Sequence, residues 1–239
     1  GRTVFKVGPE EFAQTLKQGA MDGVRLLGGC CGTTPAHIAA MTRACRGLQP
    51  LPVPDKRNVL VTSWSGALEL GKGPLIVGER INPTGKKKFR EALLDNDMNY
   101  VLNEGKRQLD AGAHILDVNV GLPGIDEADM MIRAVRELQR TFPAPLQIDS
   151  SEPEVLEKAL RYYNGKALVN SVNGKQAVMD AVFPVVKKYG GVLVALALDE
   201  DGIPDTAEGR LRVARKIVEK AEAMGIDRKN IIVDTLTMT

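Results

Sequence analysis

HILDVNV, residues 114–120, is an apolar run that carries an aspartate and an asparagine, Asp117 and Asn119, toward its end. Its aliphatic and β-branched content reads as a buried strand. Similar runs flank it: LIVG (75–78), LQIDS (146–150), ALVNSV (167–172), VLVALAL (192–198) and NIIVDT (230–235). Between them, apolar residues return at helical spacing over about 86–111, 126–141, 153–162, 176–189 and 206–224. Apolar strands alternating with amphipathic helices predict an α/β fold with a parallel sheet wrapped by helices. Six strands of one polarity leave two architectures, a doubly wound sheet or six eighths of a (β/α)8 barrel. No GxGxxG follows the first strand, which argues against a dinucleotide fold.

The polar residues choose between them. Glu79 and Asn82 follow the first strand, Asp117 and Asn119 mark the second, Asp149 the third, Asn170 the fourth and Asp234 the sixth. In a barrel of the TIM type these converge on the C-terminal mouth, where the sites of such enzymes lie. Turn chemistry accounts for any one of them alone; their recurrence on five strands points to a site. Asp and Asn without a His, Lys or Ser nucleophile suit a ligand rich in N–H donors, not acyl or phosphoryl transfer.

Composition narrows the class. With 32 basic and 30 acidic residues in 239, the net charge is +2. That balance gives no electrostatic footprint for nucleic acid or an anionic membrane. No apolar run approaches the roughly 18 residues of a membrane span, and no signal peptide opens the chain. With 44% hydrophobic and 26% charged residues, the expectation is an ordinary soluble protein of the cytoplasm. Three cysteines make no disulfide framework.

The N-terminal segment reads differently. It opens without Met, in what reads as mid-domain. PEEFAQTLKQGAMDG (9–23) has helical spacing, VRLLGG (24–29) reads as a short buried strand, and PAHIAAMTRACRG (35–47) is a second helix with Thr34 as its N-cap. Residues 1–47 are too few to close a core and read as the tail of a larger α/β unit. Between strand and second helix lies LLGGCCGTTP (26–35), with Cys30 and Cys31 side by side. Neighbouring cysteines bond to each other only with strain, so the pair is not a structural staple. Cys45 reads as a packed thiol. Residues 48–73 form a linker stiffened by Pro50, Pro52 and Pro54, with VLVTSW and ALEL as short strands flanking a Ser65-Gly66 turn. A barrel follows over 74–239.

The run GPLIVGERINPTGKKKF, then ILDVNVG, LQIDSS, LVNSVNG and IIVDTLT, resembles the pterin-binding barrel of the cobalamin-dependent methionine synthase family. LLGGCCGTTPAHI resembles the end of the homocysteine-binding barrel that precedes it in that family. The order of the two modules makes the resemblance specific. It implies methyl transfer from 5-methyltetrahydrofolate to cob(I)alamin, and then to zinc-activated homocysteine, giving methionine and tetrahydrofolate. It implies zinc held by the Cys30 and Cys31 thiolates, with a third ligand upstream of this segment, and cobalamin on a separate cobalamin-binding domain. By the same resemblance Asp149, Asn170 and Asp234 contact the pterin, and strands seven and eight lie beyond Thr239.

Within that reading each residue has a chemical task. A pterin shows a 2-amino group beside a ring N–H, a paired donor edge that one carboxylate accepts; Asp234 is assigned to it, and Asp149 to another ring N–H. Asn170 both donates and accepts, so it follows N-5 through a change of protonation and is the expected catalytic residue. Asp117 relays a proton through water. Glu79, Asn82, Asp117 and Asn119 complete the substrate-binding set, the alternative for Asp117 and Asn119 being that they only tie loops together. Ser150 and Ser151 read as caps of the helix at Pro153, and His37 and His114 as structural. GKKKFR (85–90) reads as a solvated helix start, the alternative being attraction of the folate glutamate tail. Other readings are dihydropteroate synthase, a stand-alone methyltetrahydrofolate:corrinoid protein methyltransferase, and a folate-binding fragment without catalysis. INPTGKKKF stands where dihydropteroate synthases carry a PDSFxD-like run, and the stand-alone methyltransferase lacks the GGCCG module.

Overall fold

In the computed structural model the chain divides into two units, Gly1–Lys56 and Arg57–Thr239. Residues 3–54 and 56–237 are described; residues 1, 2, 55, 238 and 239, which belong to the expected 1–47, 48–73 and 74–239 segments, lie outside them. In the first unit α1 (Pro9–Met21) starts on a proline with Glu10 and Glu11 in its first turn, where fixed φ and negative charge both favour a helix N-terminus. α2 (Pro35–Cys45) begins after Thr34. The Thr34 amide donates to His37 Nδ1 at 3.3 Å, and His37 Nε2 lies 3.0 Å from the Val7 carbonyl. Both ring nitrogens are thus engaged, which gives His37 the structural role read from the sequence.

The strand expected at VRLLGG does not form. Residues 24–29 belong to no helix or ladder, and Leu26 is 91% exposed. A strand exists only beside a partner that takes its N–H and C=O groups; among the described residues of this unit no segment offers one.

The second unit opens with a hairpin, β1 (Val59–Thr62) antiparallel to β2 (Ala67–Leu70), as the sequence suggested. Ser63 Oγ accepts the Ser65 and Gly66 amides at 3.3 and 3.2 Å and fixes the turn. Six parallel strands follow: β3 (Val77–Ile81), β4 (Ile115–Val118), β5 (Leu146–Asp149), β6 (Leu168–Asn173), β7 (Val192–Leu196) and β8 (Ile231–Asp234). Their spatial order equals their chain order. A doubly wound sheet would reverse direction at a switch point; the strictly sequential order is that of a (β/α)8 barrel, six strands of which lie among the described residues.

Helices α3 (Lys87–Leu94), α4 (Met98–Asp110), α5 (Glu127–Thr141), α6 (Pro153–Tyr162), α7 (Gln176–Tyr189) and α8 (Ala207–Ala223) separate the strands. The single helix expected over 86–111 is two. Asn96 takes φ 58°, a left-handed conformation that asparagine tolerates, and the Asp97 carboxylate accepts the Tyr100 amide at 3.2 Å to cap α4.

Period-two alternation gives the sheet two faces. Leu116, Val118, Leu146, Ile148, Val169, Leu193 and Ala195 point outward into the main core with Met131, Leu138, Leu156 and Phe183 of the helices. The inner face begins with a second apolar cluster, Ile115, Leu168 and Val192, packed on Val59, Val61, Leu68 and Leu70 of the hairpin. The hairpin therefore plugs the N-terminal end of the inner face. It is pinned there by polar contacts. Tyr163 Oη donates to the Thr62 carbonyl at 2.9 Å and accepts the Leu146 amide at 3.0 Å. Thr62 Oγ1 accepts the Lys166 amide at 2.7 Å. Gly165 makes this approach possible: its φ is +127°, and a Cβ there would lie 2.4 Å from the Thr62 carbonyl oxygen.

Candidate active site

One strand step above the apolar plug, the inner face turns polar. Asp117 pairs in register with Gln147, and Asp149 with Asn170. Since side chains alternate along a strand, Asp117 follows Ile115, Gln147 precedes Asp149, and Asn170 follows Leu168 on this one face. The parallel ladder thus gathers four polar side chains from three adjacent strands. A register shift between Asn170 and Val172 bends β6 immediately beyond them.

Asp117 is 4% exposed. Burial pushes its carboxyl from the ordinary 3.8 up to about 7; the Asp149 charge adds to the rise, the amides of Gln147 and Asn170 oppose it, and Glu79 adds a little more. Gln147 Nε2 donates to Asp117 Oδ1. Asp149 is also raised, first by burial and then by Glu127, against the opposing hydrogen bond from Asn119. That bond runs from Asn119 Nδ2 to Asp149 Oδ2 at 3.0 Å, while Asn119 Oδ1 accepts the Gly121 amide at 2.9 Å. Ser150 Oγ donates to Glu127 Oε1 at 2.6 Å and accepts the Glu152 amide at 3.1 Å. Like charges brought together out of water resist joint ionisation. The layer therefore offers carboxyl oxygens as acceptors and, at Asp117, one proton that is easily held or released near neutrality.

Asp117, Asn119, Asp149 and Asn170 are the expected site residues that the fold brings together. The others lie apart. Glu79 is mostly exposed at β3, its carboxylate 3.6 Å from Lys86 Nζ, and is felt at Asp117 only as a charge. Asn82 Oδ1 accepts the Thr84 amide at 2.8 Å in the following turn. Asp234 ends β8 exposed, with Oδ1 on the Leu236 amide at 2.8 Å; the register Asn170–Val194–Ile232 and Leu196–Asp234 keeps it on the Asn170 face, two strands over. The helix at Pro153 starts from Glu152 without a side-chain cap bond, so Ser150 ties Glu127 to the loop instead of capping. His114 Nδ1 accepts the Ile76 amide at 3.0 Å, the structural role expected of it.

Gln147 and Glu127 were not singled out from the sequence. Gln147 was legible: a polar residue two positions before Asp149 in an apolar strand shares its face. Glu127 carries no such signal, because an acidic residue in the first turn of a helix is explained by the helix itself.

In the first unit Cys30 and Cys31 are exposed, with sulfurs 3.7 Å apart. They line a hollow of about 390 Å³ with Val4, Phe5, Phe12 and His37. Gly32 turns the chain between them and α2 at φ +82°, with Phe5 where a Cβ would lie. Among the described residues no three His, Cys, Asp or Glu side chains gather to hold a metal. The thiol pair fits two positions of a tetrahedral zinc site, and His37, with both nitrogens engaged, supplies no third.

The family model for pterin binding enzymes matches residues 78–239. The chain belongs to the pterin binding enzyme family. A second model, homocysteine S-methyltransferase, matches residues 1–45. Two curated relatives are each named methionine synthase. That of Mycobacterium tuberculosis is 34% identical over 97% of this chain and 20% of its own length. That of Mycobacterium leprae is 34% identical over 98% of this chain and 21% of its own. The chain thus spans about one fifth of the length of the relatives it matches. Solved pterin-family structures share the fold. A Xanthomonas albilineans dihydropteroate synthase in complex with 7,8-dihydropteroate has TM-score 0.57 at 22% identity, covering 75% of this chain and 66% of that one. The Yersinia pestis dihydropteroate synthase with a sulfonamide drug has TM-score 0.57 at 18% identity, covering 74% and 67%.

Proposed function

We propose that the Arg57–Thr239 unit holds 5-methyltetrahydrofolate against its polar inner face and releases the methyl group from N-5, as part of a methionine-forming methyltransferase. The observation that carries this reading is the Asp117–Gln147–Asp149–Asn170 layer, set on an apolar plug in a pterin binding fold. The ring edge of a pterin is a row of N–H donors, and carboxylates accept such donors without needing a proton of their own. Asp149 accepts one ring N–H, and Asp234 the paired 2-amino and ring N–H edge. Asn170 faces N-5 and follows it between acceptor and donor states. Asp117, titrating near neutrality because it is buried beside Asp149, holds a proton that reaches N-5 through water. A tertiary amine leaves only when that nitrogen is protonated, so this is where the residues accelerate transfer.

The relatives' name and the order of the two matching families support extending the reading to the whole enzyme. A corrinoid carried by another domain would supply a strong cobalt nucleophile for the methyl group. Zinc on Cys30, Cys31 and a ligand from elsewhere would supply a Lewis acid that lowers the homocysteine thiol pKa. Both thiols are exposed and close enough to point at one ion.

Anaerobic mixing of the chain with 5-methyltetrahydrofolate and reduced cobalamin, followed by cobalt absorbance, tests the reaction. Methylation of the cobalt is expected. Asn170→Ala should slow it by about a hundredfold to ten-thousandfold, the usual range of proton-transfer help, while weakening pterin binding far less. Tight pterin binding with no methyl transfer would reduce the reading to a binding module.

A further inference from the structure

The sequence leaves Asn119 between a ligand contact and a residue that only ties loops together. We infer that Asn119 is a positioning residue, whose amide occupies Oδ2 of Asp149 and leaves Oδ1 as the oxygen presented to the pterin. The inference rests on the pterin reading of this face and adds to it the orientation of the acceptor.

The direction of the amide follows from its two partners. Gly121 contributes a backbone N–H, which can only donate, so the atom 2.9 Å from it must be the Asn119 carbonyl oxygen. The NH2 end is thereby turned to Asp149 Oδ2, 3.0 Å away. A flipped amide would set two donors against each other at Gly121 and two acceptors at Asp149, a double loss at a half-buried site. The Gly121 amide in the segment after β4 therefore fixes Asn119, and Asn119 fixes the carboxylate. Each polar end of its side chain already has a protein partner, which sets its orientation before any ligand arrives.

The same bond governs the charge of Asp149. Burial and the Glu127 carboxylate of α5 favour the neutral acid, and the Asn119 donor opposes them. Asp117 of β4 is the remaining charged group coupled to Asp149. Glu127 is itself held by Ser150 at 2.6 Å, so the repulsion it exerts is fixed in place. Without Asn119 the side-chain donor that favours the ionised, hydrogen-bond-accepting form is gone. A carboxylate that must accept from a ring N–H would then carry a proton of its own over part of the working pH range.

Carboxyl carbon NMR of the ligand-free chain reads this directly. In Asn119→Ala and in the near-isosteric Asn119→Leu, the Asp149 titration midpoint should rise, with proton affinity increased about tenfold, the size of one hydrogen bond to a charged acceptor. In the unchanged protein the Asn119 Nδ2 proton resonance should move with that same midpoint, a readout that needs no variant. A midpoint untouched by both substitutions, or an Asn119 resonance that ignores the Asp149 titration, overturns the inference. Calorimetry with 5-methyltetrahydrofolate separates this from the functional reading. If the unchanged chain binds no pterin, the functional reading fails while the NMR still decides the role of Asn119. If it binds, Asn119→Ala should lose affinity chiefly on the acid side, and an equal loss at every pH would make Asn119 a direct contact.

Discussion

Replacing Asp117 by Asn should stabilise the protein at alkaline pH and leave it nearly unchanged in acid. Asp117 is 4% exposed, and burial with the nearby Asp149 charge raises its carboxyl from 3.8 to about 7. The folded state then holds a proton that the unfolded state has released between about pH 4 and pH 7. Where the folded state binds more protons, stability falls as pH rises. The cost is absent below about pH 4, grows through that window, and is complete above about pH 7. At about 1.4 kcal/mol per tenfold change in proton affinity, a rise from 3.8 to about 7 corresponds to about 4 kcal/mol. Relaxation of the ionised site makes that an upper figure. Asparagine keeps the shape and the acceptor for Gln147 but never ionises. Urea unfolding of both proteins from pH 4 to pH 8 should show the variant gaining by up to about 4 kcal/mol as pH rises. Asp149, which is also raised by burial, leaves a residual slope of the same sign in both. A difference between the two proteins that stays constant across this range would refute a displaced Asp117 titration.

Three further outcomes follow from the geometry. Gly165→Ala should cost about 2–4 kcal/mol by thermal or denaturant unfolding, because a methyl group there would meet the Thr62 carbonyl at a φ of +127°. Tyr163→Phe should cost about 1–3 kcal/mol by leaving the buried Leu146 amide without its acceptor. In ultraviolet titration one of the four tyrosines should ionise late, since burial pushes the Tyr163 hydroxyl up to about 12.

Much of the second unit was legible because its elements are locally consistent. The boundaries of α6 and α7 fall at Pro153–Tyr162 and Gln176–Tyr189, the residues that helical spacing marks out. The strands alternate apolar runs with polar ends, and that pattern alone places Asp117, Asp149 and Asn170 together. Three features resisted for physical reasons. VRLLGG has strand composition, but pairing is not a property of one segment. The DND run at 95–97 ends α3 and caps α4 through turn chemistry inside a stretch whose spacing reads as continuous. Glu79 was placed after its strand because LIVG is the apolar part; β3 in fact runs on to Ile81, and Glu79 falls within it. The roles inside the site depend on which oxygen meets which donor. Asn119 and Gln147 show this, since only the folded protein brings each to the carboxylate it serves.

The most direct test of the central claim is calorimetric titration of the chain with 5-methyltetrahydrofolate, beside an Asp149→Ala control shown to be folded by circular dichroism. The account predicts binding by the unchanged chain, weakened in the control by roughly tenfold to several hundredfold, the usual cost of removing a charged acceptor. Equal affinity in the two proteins would contradict it, because the pterin would then be held somewhere other than the polar layer of the inner face.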